Sequence, residues 1–308
     1  MTPIQFKNSS LPDVIELRNI RQVYRDEKTG GDKVVLDQLN LLVEKIPDRG
    51  QFIVILGPSG CGKSTLLRYI AGIQKPTSGE VLIQSKSRTD DVVVGMVFQQ
   101  YSSFPWYTVL QNVMLPLIFR KQQEAAARVP VLSPFFQLMA PLGPAMKDKA
   151  AMEQAMAMIE TVGLTGHEHK FAKSPILSGG QLQRVAIARS LVINPGIILM
   201  DEPFGALDTH TRFKMQQLIR SELWVKFDMS IIFVTHDLQE AVFLADDIYI
   251  MRKDPGFLDE HFHIDLPFER DKSMKKTKRF IELVNEIDDA IDRLAGTNDK
   301  ELKRKGKA

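Results

Sequence analysis

The residues of this chain whose types and spacing could do chemistry begin with a glycine-rich segment. It reads Gly57-Pro58-Ser59-Gly60-Cys61-Gly62-Lys63-Ser64-Thr65 and matches the phosphate-loop pattern G-x-x-x-x-G-K-[ST]. Glycines let successive backbone N–H groups turn toward phosphate oxygens at the N-terminus of a helix. Lys63 supplies a positive charge to the β- and γ-phosphates, and the hydroxyl of Ser64 is suited to bind Mg²⁺. The segment therefore predicts a nucleotide phosphate site.

A second candidate site consists of two adjacent carboxylates, Asp201 and Glu202, at the end of an apolar run over 197–200. The carboxyl ends of strands are where α/β folds bind ligands. Asp201 can hold Mg²⁺ through water, while Glu202 is suited to orient or deprotonate an attacking water. A strand that ends in Asp-Glu is by itself most often an ordinary surface feature. Together with the phosphate loop, it indicates phosphoryl chemistry.

Other reactive side chains give weaker signals. Histidine pairs at 167/169 and 261/263 have a spacing that could suggest a metal site. No cysteine or further histidine follows nearby, so a surface loop and strand alternation are favoured. The single cysteine, Cys61, cannot form an intramolecular disulfide, which suits a reducing compartment. Within the phosphate loop we expect it to be a small neutral residue.

The elements that must position these residues alternate between strands and helices. Strand-like runs are predicted at 14–20, 34–43, 51–56, 81–83, 92–98, 197–200, 230–234 and 248–251, with helices at 64–73 and 182–191. This alternation favours a parallel sheet covered on both faces. Residues from about 107 to 175 lack strong strand runs, and Met152, Ala155, Met156 and Ile159 follow a helical period. We therefore predict a helical subdomain inserted into an α/β core.

Composition excludes several classes of protein. The 308 residues are 44% hydrophobic and 25% charged, which argues against disorder, a collagen-like repeat or a disulfide scaffold. A net charge of +2 gives no dominant field for nucleic acid, so we expect no nucleic-acid partner. No signal peptide is visible, and no apolar run approaches the ~20 residues that span a bilayer. At a membrane, another chain would have to hold this one.

Leu177-Ser178-Gly179-Gly180-Gln181 resembles the signature of ATP-binding-cassette (ABC) ATPases, and the other motifs of that family follow the same order. Gln99 matches the Q-loop glutamine, Asp208 in Gly205-Ala206-Leu207-Asp208 the D-loop, and His236 the switch histidine. Tyr24 matches the aromatic residue that stacks on adenine. The resemblance covers about residues 14–252. It implies a P-loop ABC ATPase fold: a mostly parallel sheet, an antiparallel β edge subdomain and a helical subdomain.

The resemblance also implies roles. ATP and Mg²⁺ are the expected cofactors, with Ser64, Asp201 and Gln99 around the metal. Lys63, Glu202 and His236 are the expected catalytic residues, and His236 would sense the γ-phosphate and position Glu202. In a head-to-tail dimer, Ser178, Gly179 and Gln181 of one subunit would close over the γ-phosphate held by Lys63 of the other. Gln99 would connect the nucleotide to a partner through the helical subdomain.

Within the superfamily, the segments at 95–100 and 104–113, with Pro105-Trp106, resemble the ATP-binding subunits of nitrate, sulfonate and taurine-type importers. Such systems pair two cytosolic ATPases with two permease subunits and a solute-binding protein, so we expect this chain at the cytoplasmic face of the cell (inner) membrane. We expect the ABC domain at 14–270. Its helical subdomain spans about 107–190 and carries an extra insertion at about 120–149. An amphipathic helix and basic tail follow at 271–308.

Alternatives remain open at this stage. The apolar segment at 131–139 within the insertion would either pack locally as a hairpin or contact a permease or membrane surface. An exporter ATPase with separate membrane chains is the main competitor to the importer interpretation. A soluble ABC ATPase of translation or DNA repair would carry the same motifs, usually with two cassettes or a long coiled coil. A catalytically dead scaffold is disfavoured because Lys63, Asp201, Glu202 and His236 are all present.

Overall fold

The computed structural model describes residues 13–25, 30–44, 50–87, 93–100, 102–127 and 146–305. Much of the predicted insertion, including its apolar segment at 131–139, lies outside the described residues, as does the end of the basic tail at 306–308. Within the described ranges, no helix combines the length and apolar character needed to cross a membrane.

The larger of two sheets has six strands. They are β3 (Phe52–Leu56), β6 (Val94–Val97), β7 (Ile197–Asp201), β8 (Ser230–Thr235), β9 (Asp247–Met251) and β10 (Leu258–His263). Their spatial order is β10-β9-β3-β8-β7-β6. Strand β3 pairs in parallel with β8 and β9, and β7 pairs in parallel with β8, while β10 runs antiparallel to β9. Every residue of β3, β8 and β9 is buried, which explains why these strands are nearly uninterrupted apolar runs.

The smaller sheet is antiparallel and has the order β2-β1-β4-β5. Its strands are β1 (Asp13–Arg25), β2 (Asp32–Glu44), β4 (Ser78–Ile83) and β5 (Lys86–Ser87). Strand β1 continues five residues beyond the predicted end at Ile20, because it keeps pairing with β2 as far as Arg25 and Asp32. Tyr24 therefore lies in a strand. The predicted α/β fold class with an antiparallel edge sheet is confirmed.

Eight α-helices are described. They are α1 (Lys63–Ile70), α2 (Val109–Ala127), α3 (Lys149–Thr161), α4 (Gly179–Leu191), α5 (Thr209–Gln217), α6 (Trp224–Phe227), α7 (Leu238–Leu244) and α8 (Lys278–Lys305). A π-helical turn, Leu218–Leu223, joins α5 to α6, and a 3₁₀ turn spans Lys272–Lys276. Helix α1 ends before the predicted residue 73, because Gly72 adopts a left-handed φ of 75° just after the helix.

The chain divides into two compact units. The first comprises Met1–Met96, Gly196–Glu202 and Gln216–Ala308, and the second comprises Val97–Pro195 and Pro203–Met215. In the second unit, α2 packs on α3 and α4. In the first unit, the amphipathic pattern of α8 corresponds to a buried stripe that includes Phe280, Leu283 and Ile287, and α8 packs against α7.

Candidate functional site

Three adjacent parallel strands of the large sheet end beside one another and carry the predicted catalytic groups. The phosphate loop follows β3, His236 follows β8, and Asp201 and Glu202 end or follow β7. Because β8 lies between β3 and β7, the hydrogen-bonded ladder sets the spacing of these groups. Sequence reasoning placed each group at a strand end, and the strand order brings them to the same edge of the sheet.

The phosphate loop requires glycine at its turns. Gly60 and Gly62 adopt left-handed φ angles of 78° and 109°. A Cβ at Gly62 would lie 2.5 Å from Cδ2 of Leu36, so neither the backbone nor the space accepts a side chain there. Lys63, the first residue of α1, donates from Nζ to the carbonyls of Gly57 at 2.7 Å and Pro58 at 3.0 Å. The ammonium group is therefore held over the loop.

The other residues of the loop differ in exposure. Pro58, Ser59 and Gly60 are exposed, Thr65 is half-buried on α1, and Cys61 is buried. Burial raises the pKa of the Cys61 thiol, against the opposing effect of the nearby Lys63 ammonium. A raised pKa favours the neutral form of this thiol.

Ser64 and Asp201 meet at the predicted metal position. The hydroxyl of Ser64 donates to Oδ1 of Asp201 at 3.1 Å. Burial raises the pKa of Asp201, and the negative charge of Glu202 acts in the same direction, against the Ser64 hydrogen bond and the charge of Lys63. A hydroxyl and a carboxylate oxygen are donors that Mg²⁺ prefers. A bound cation would also relieve the raised pKa of Asp201, so this pair fits the ion.

Glu202 and His236 form the pair expected to act on water. Nδ1 of His236 lies 3.0 Å from Oε2 of Glu202, and His236 is largely exposed. The backbone of Glu202 has a left-handed φ of 43°, and its N–H donates to the carbonyl of Val234 on β8 at 3.0 Å. This bond ties the turn after β7 to β8, the strand that precedes His236. Non-glycine residues at positive φ are uncommon and cluster at functional sites.

Glu240, a buried carboxylate four residues after His236, was not predicted from the sequence. Glu240 on α7 accepts a hydrogen bond from the hydroxyl of Thr235 at 2.5 Å and one from the amide of Gln216 at 2.9 Å. The same Thr235 hydroxyl accepts from the backbone N–H of Asp237 at 3.0 Å, on the other side of His236. We call Thr235, Glu240 and Gln216 the histidine clamp. The spacing Asp237-x-x-Glu240, typical of a helix N-terminus, was the available signal.

Tyr24, the predicted adenine platform, lies near the end of β1 opposite Lys33 of β2. The residue is 41% exposed. Its hydroxyl accepts a hydrogen bond from Nε2 of Gln74 at 2.7 Å.

The signature residues begin α4 in the second unit. Ser178 is the N-cap: its Oγ accepts from the N–H of Gln181 at 3.3 Å, and the Gln181 side chain accepts from the N–H of Ser178 at 2.9 Å. Gln181 is also 2.7 Å from Nε2 of His167, one of the histidines weighed as a metal ligand. Gly179 is half-buried. Gly180 is buried, and a Cβ there would lie 2.5 Å from Cγ2 of Thr211.

Gln99 and Asp208 also belong to the second unit. Gln99 is exposed and lies two residues after β6. Asp208 begins α5: its Oδ1 accepts from the N–H groups of His210 at 3.1 Å and Thr211 at 3.0 Å. A hydrogen bond from the Thr211 side chain, together with those from the backbone of Thr211 and His210, lowers the pKa of Asp208.

The second histidine pair contacts a carboxylate. His261 and His263 lie 2.8 and 3.1 Å from Oδ1 of Asp247, and Gln51 donates to Oδ2 at 2.8 Å. Both histidines are on β10, as the alternation predicts. Across the described part of the chain, no group of three or more His, Cys, Asp or Glu side chains is arranged to hold a metal ion.

The chain is similar to proteins of one family. The ABC transporter family profile matches residues 39–205, more than half of the chain. The chain is 36% identical to the nitrate import ATP-binding protein NrtD of Synechocystis sp., over 85% of this chain and 87% of that protein. It is 39% identical to the aliphatic sulfonates import ATP-binding protein SsuB 1 of Shouchella clausii, over 81% of this chain and 83% of that protein.

Solved structures agree with these relatives. A dimeric structure of the ATP-binding cassette MJ0796, in a post-hydrolysis state bound to ADP and Pi, superposes with a TM-score of 0.64. It is 32% identical and covers 82% of this chain and 100% of that one. With a phosphate loop, a carboxylate pair and a histidine at one sheet edge, and with this extent of similarity, the chain belongs to the ABC transporter family and is an ATP-binding ATPase.

Proposed function

We propose that this chain is the ATP-hydrolysing subunit that powers solute import through a separate permease, the solute being a nitrate-, sulfonate- or taurine-like anion or another small organic solute. The observation that carries the ATPase part is the Glu202–His236 pair at 3.0 Å, directly after the strands β7 and β8 at the sheet edge that carries the phosphate loop. The import direction is supported by relatives named for nitrate and sulfonate import.

In this proposal the first unit binds and hydrolyses the nucleotide. The loop N–H groups and Lys63 hold the β- and γ-phosphates, and Tyr24 stacks on adenine. Ser64 and Asp201 hold Mg²⁺, which would neutralise charge on the phosphates when bound. Glu202 orients or deprotonates the attacking water, and His236, 3.0 Å away, keeps the Glu202 carboxylate in position.

The second unit supplies groups that act on a partner. In this proposal, the N-terminal N–H groups of helix α4, which begins at Gly179, form a second place where an anion binds. One nucleotide does not need two such places in one chain, so we infer a head-to-tail dimer. There, the signature of one copy closes over the γ-phosphate held by the other. Gln99 would be a further ligand of Mg²⁺ and would connect the nucleotide to the permease.

The proposed assembly lies at the cytoplasmic face of the cell membrane. Two ATP-binding subunits, identical or paralogous, would contact two permease subunits, and an extracytoplasmic solute-binding protein would deliver the solute. The absence of a membrane-spanning helix among the described residues is compatible with this division.

Glu202→Gln tests the hydrolytic role, because glutamine keeps the size of the side chain and removes the basic oxygen. We expect ATP turnover to fall about 10²–10⁴-fold, the usual contribution of a general base. In MgATP, the variant is expected to accumulate as a dimer in analytical ultracentrifugation. Glu222→Gln, at an exposed position of the π-helical turn, is the matched control. Unaltered turnover in Glu202→Gln would contradict the assignment.

Purification of the tagged chain from solubilised membranes of its host tests the partner. A co-purifying polytopic permease encoded with a solute-binding protein would support import. A permease without such a protein would favour the exporter alternative, and ribosomal or DNA-associated partners would favour a soluble ABC ATPase.

A further inference from the structure

The last residues of β1 are attached to the segment that follows α1. Strand β1 pairs with β4 as far as Arg21 and Ser78, and the register between the two strands ends there. Beyond that point, hydrogen bonds from side chains connect β1 to the segment that follows α1. The N–H of Val23 donates to Oγ1 of Thr77 at 3.1 Å, and Nε2 of Gln74 donates to the hydroxyl of Tyr24 at 2.7 Å.

A third bond lies deeper in the same contact. The hydroxyl of Tyr69, on the last turn of α1, donates to Oε1 of Gln22 at 2.6 Å. Tyr69 and Gln22 are both buried, and burial raises the pKa of Tyr69. Three consecutive residues of β1 are therefore fixed by the polypeptide between Tyr69 and Thr77. Since α1 begins at Lys63, this polypeptide also leads directly back to the phosphate loop.

The three hydrogen bonds restrict different parts of β1. The bonds to Gln22 and Val23 fix the strand, whereas the bond from Gln74 reaches the far end of the Tyr24 ring. An exposed tyrosine otherwise samples several rotamers, and a bond to its hydroxyl restricts both side-chain torsions. Gln74 is half-buried, and Tyr24 remains 41% exposed with this bond in place.

We propose that Gln74 is a positioning residue for the nucleotide base, which it serves by holding Tyr24 in the orientation that stacks on adenine. This inference rests on the proposed function, because it takes Tyr24 as the adenine platform. In this proposal, Gln74 contributes to the binding of the adenine base of ATP and does not contribute to the binding of the triphosphate.

The test compares binding of ATP and of inorganic tripolyphosphate, which lacks a base, to the full-length chain. The variants are Gln74→Leu, Tyr24→Phe, the double variant, and Gln74→Glu, whose carboxylate can accept from the Tyr24 hydroxyl. Gln123→Ala, at an exposed position of α2, is the control. Tyr24→Ala measures the contribution of the ring itself.

For Gln74→Leu we expect the Kd for ATP to rise about two- to tenfold, the usual effect of freeing one side chain at a binding surface. The Kd for tripolyphosphate should stay unchanged. Tyr24→Phe should behave alike, and the double variant should be no weaker than either single variant, because both remove the same bond. Gln74→Glu should recover most of the ATP affinity.

Two results would overturn the inference alone. One is an unchanged ATP Kd in Gln74→Leu while Tyr24→Ala weakens ATP. The other is an equal loss of tripolyphosphate affinity, which would mean damage to the phosphate loop. An unchanged ATP Kd in Tyr24→Ala would instead refute the adenine contact and with it this inference, whereas the ATPase role of Glu202 would stand on its separate test.

Discussion

Glu240→Ala removes the carboxylate at the centre of the histidine clamp. The Thr235 hydroxyl and the Gln216 amide then lose the acceptors that they contact at 2.5 and 2.9 Å. Glu240 is only 4% exposed, and water therefore has little access to replace it. Thr235, which directly precedes His236, thereby loses its bond to α7. We expect both the free energy of unfolding and the catalytic rate to decrease.

The structure sets the size of both effects. Two buried donors without acceptors cost about 1–3 kcal/mol each, so the free energy of unfolding should decrease by about 2–6 kcal/mol. For the rate, a displacement of a catalytic group by about 1 Å costs about 10²-fold. We therefore expect kcat to fall about 10- to 100-fold while KM for ATP stays unchanged, because the three residues that the clamp bonds join, Thr235, Glu240 and Gln216, do not belong to the phosphate loop.

The assay measures steady-state ATP hydrolysis well below the unfolding temperature of each variant, with thermal unfolding recorded on the same samples. Glu222→Ala, which removes an exposed glutamate, is the matched control. Glu240→Ala is also introduced into His236→Ala. If the clamp acts through His236, it should have no further effect on kcat in that background.

Two results would refute this reasoning. If kcat of Glu240→Ala stays within about twofold of wild type although the variant is less stable, the clamp supports only the fold. If Glu240→Ala lowers kcat by the same factor with and without His236, the carboxylate does not act through this histidine.

Two further predictions concern stability. Gly180→Ala places a Cβ 2.5 Å from Cγ2 of Thr211, so we expect the free energy of unfolding to decrease by about 1–3 kcal/mol in chemical denaturation. Adding Thr211→Ser, which removes Cγ2, should recover most of this loss. Equal stability of Gly180→Ala and wild type would contradict this packing. Burial opposes the charge of Asp247, but its three hydrogen bonds prevail and lower its pKa. A lowered pKa stabilises the folded state above the unfolded value of about 3.9, and this stabilisation disappears as the pH falls through the folded pKa. Asp247→Asn should therefore lower Tm at pH ~7, and the difference from wild type should narrow below pH ~4; a difference that persists unchanged at pH ~2.5 would refute the sign.

The parts of the site that the sequence predicts are those in which neighbouring residues carry the chemistry. The loop Gly57–Thr65 needs glycines at fixed offsets, and Asp201, Glu202 and His236 directly end or follow apolar strands. Such local patterns can be recognised without knowledge of the fold. The carboxyl ends of parallel strands lie at one edge of a sheet, so residues at these ends are expected to lie near one another. The strand order, with β8 between β3 and β7, then determines which of them meet.

The parts that were missed depend on contacts between distant segments. Gln74 reaches Tyr24 fifty residues away, and Gln216 reaches Glu240 across twenty-four. Nothing in the spacing of a glutamine marks its partner, since the partner is chosen by tertiary packing. The same reason explains why β1 continues past its apolar run: its last residues are held by pairing with β2 and by side chains of the segment after α1.

At the left-handed backbone position of Glu202, the residue type that would give the most stable fold differs from the type that the proposed hydrolysis needs. At a φ of 43°, glycine or asparagine would fit with less strain, by about 1 kcal/mol. Neither residue places a carboxylate beside His236. Selection for a stable chain and selection for the proposed base therefore favour different residues at this position. If Glu202 has its proposed role, the residue that follows β7 lowers stability in favour of activity.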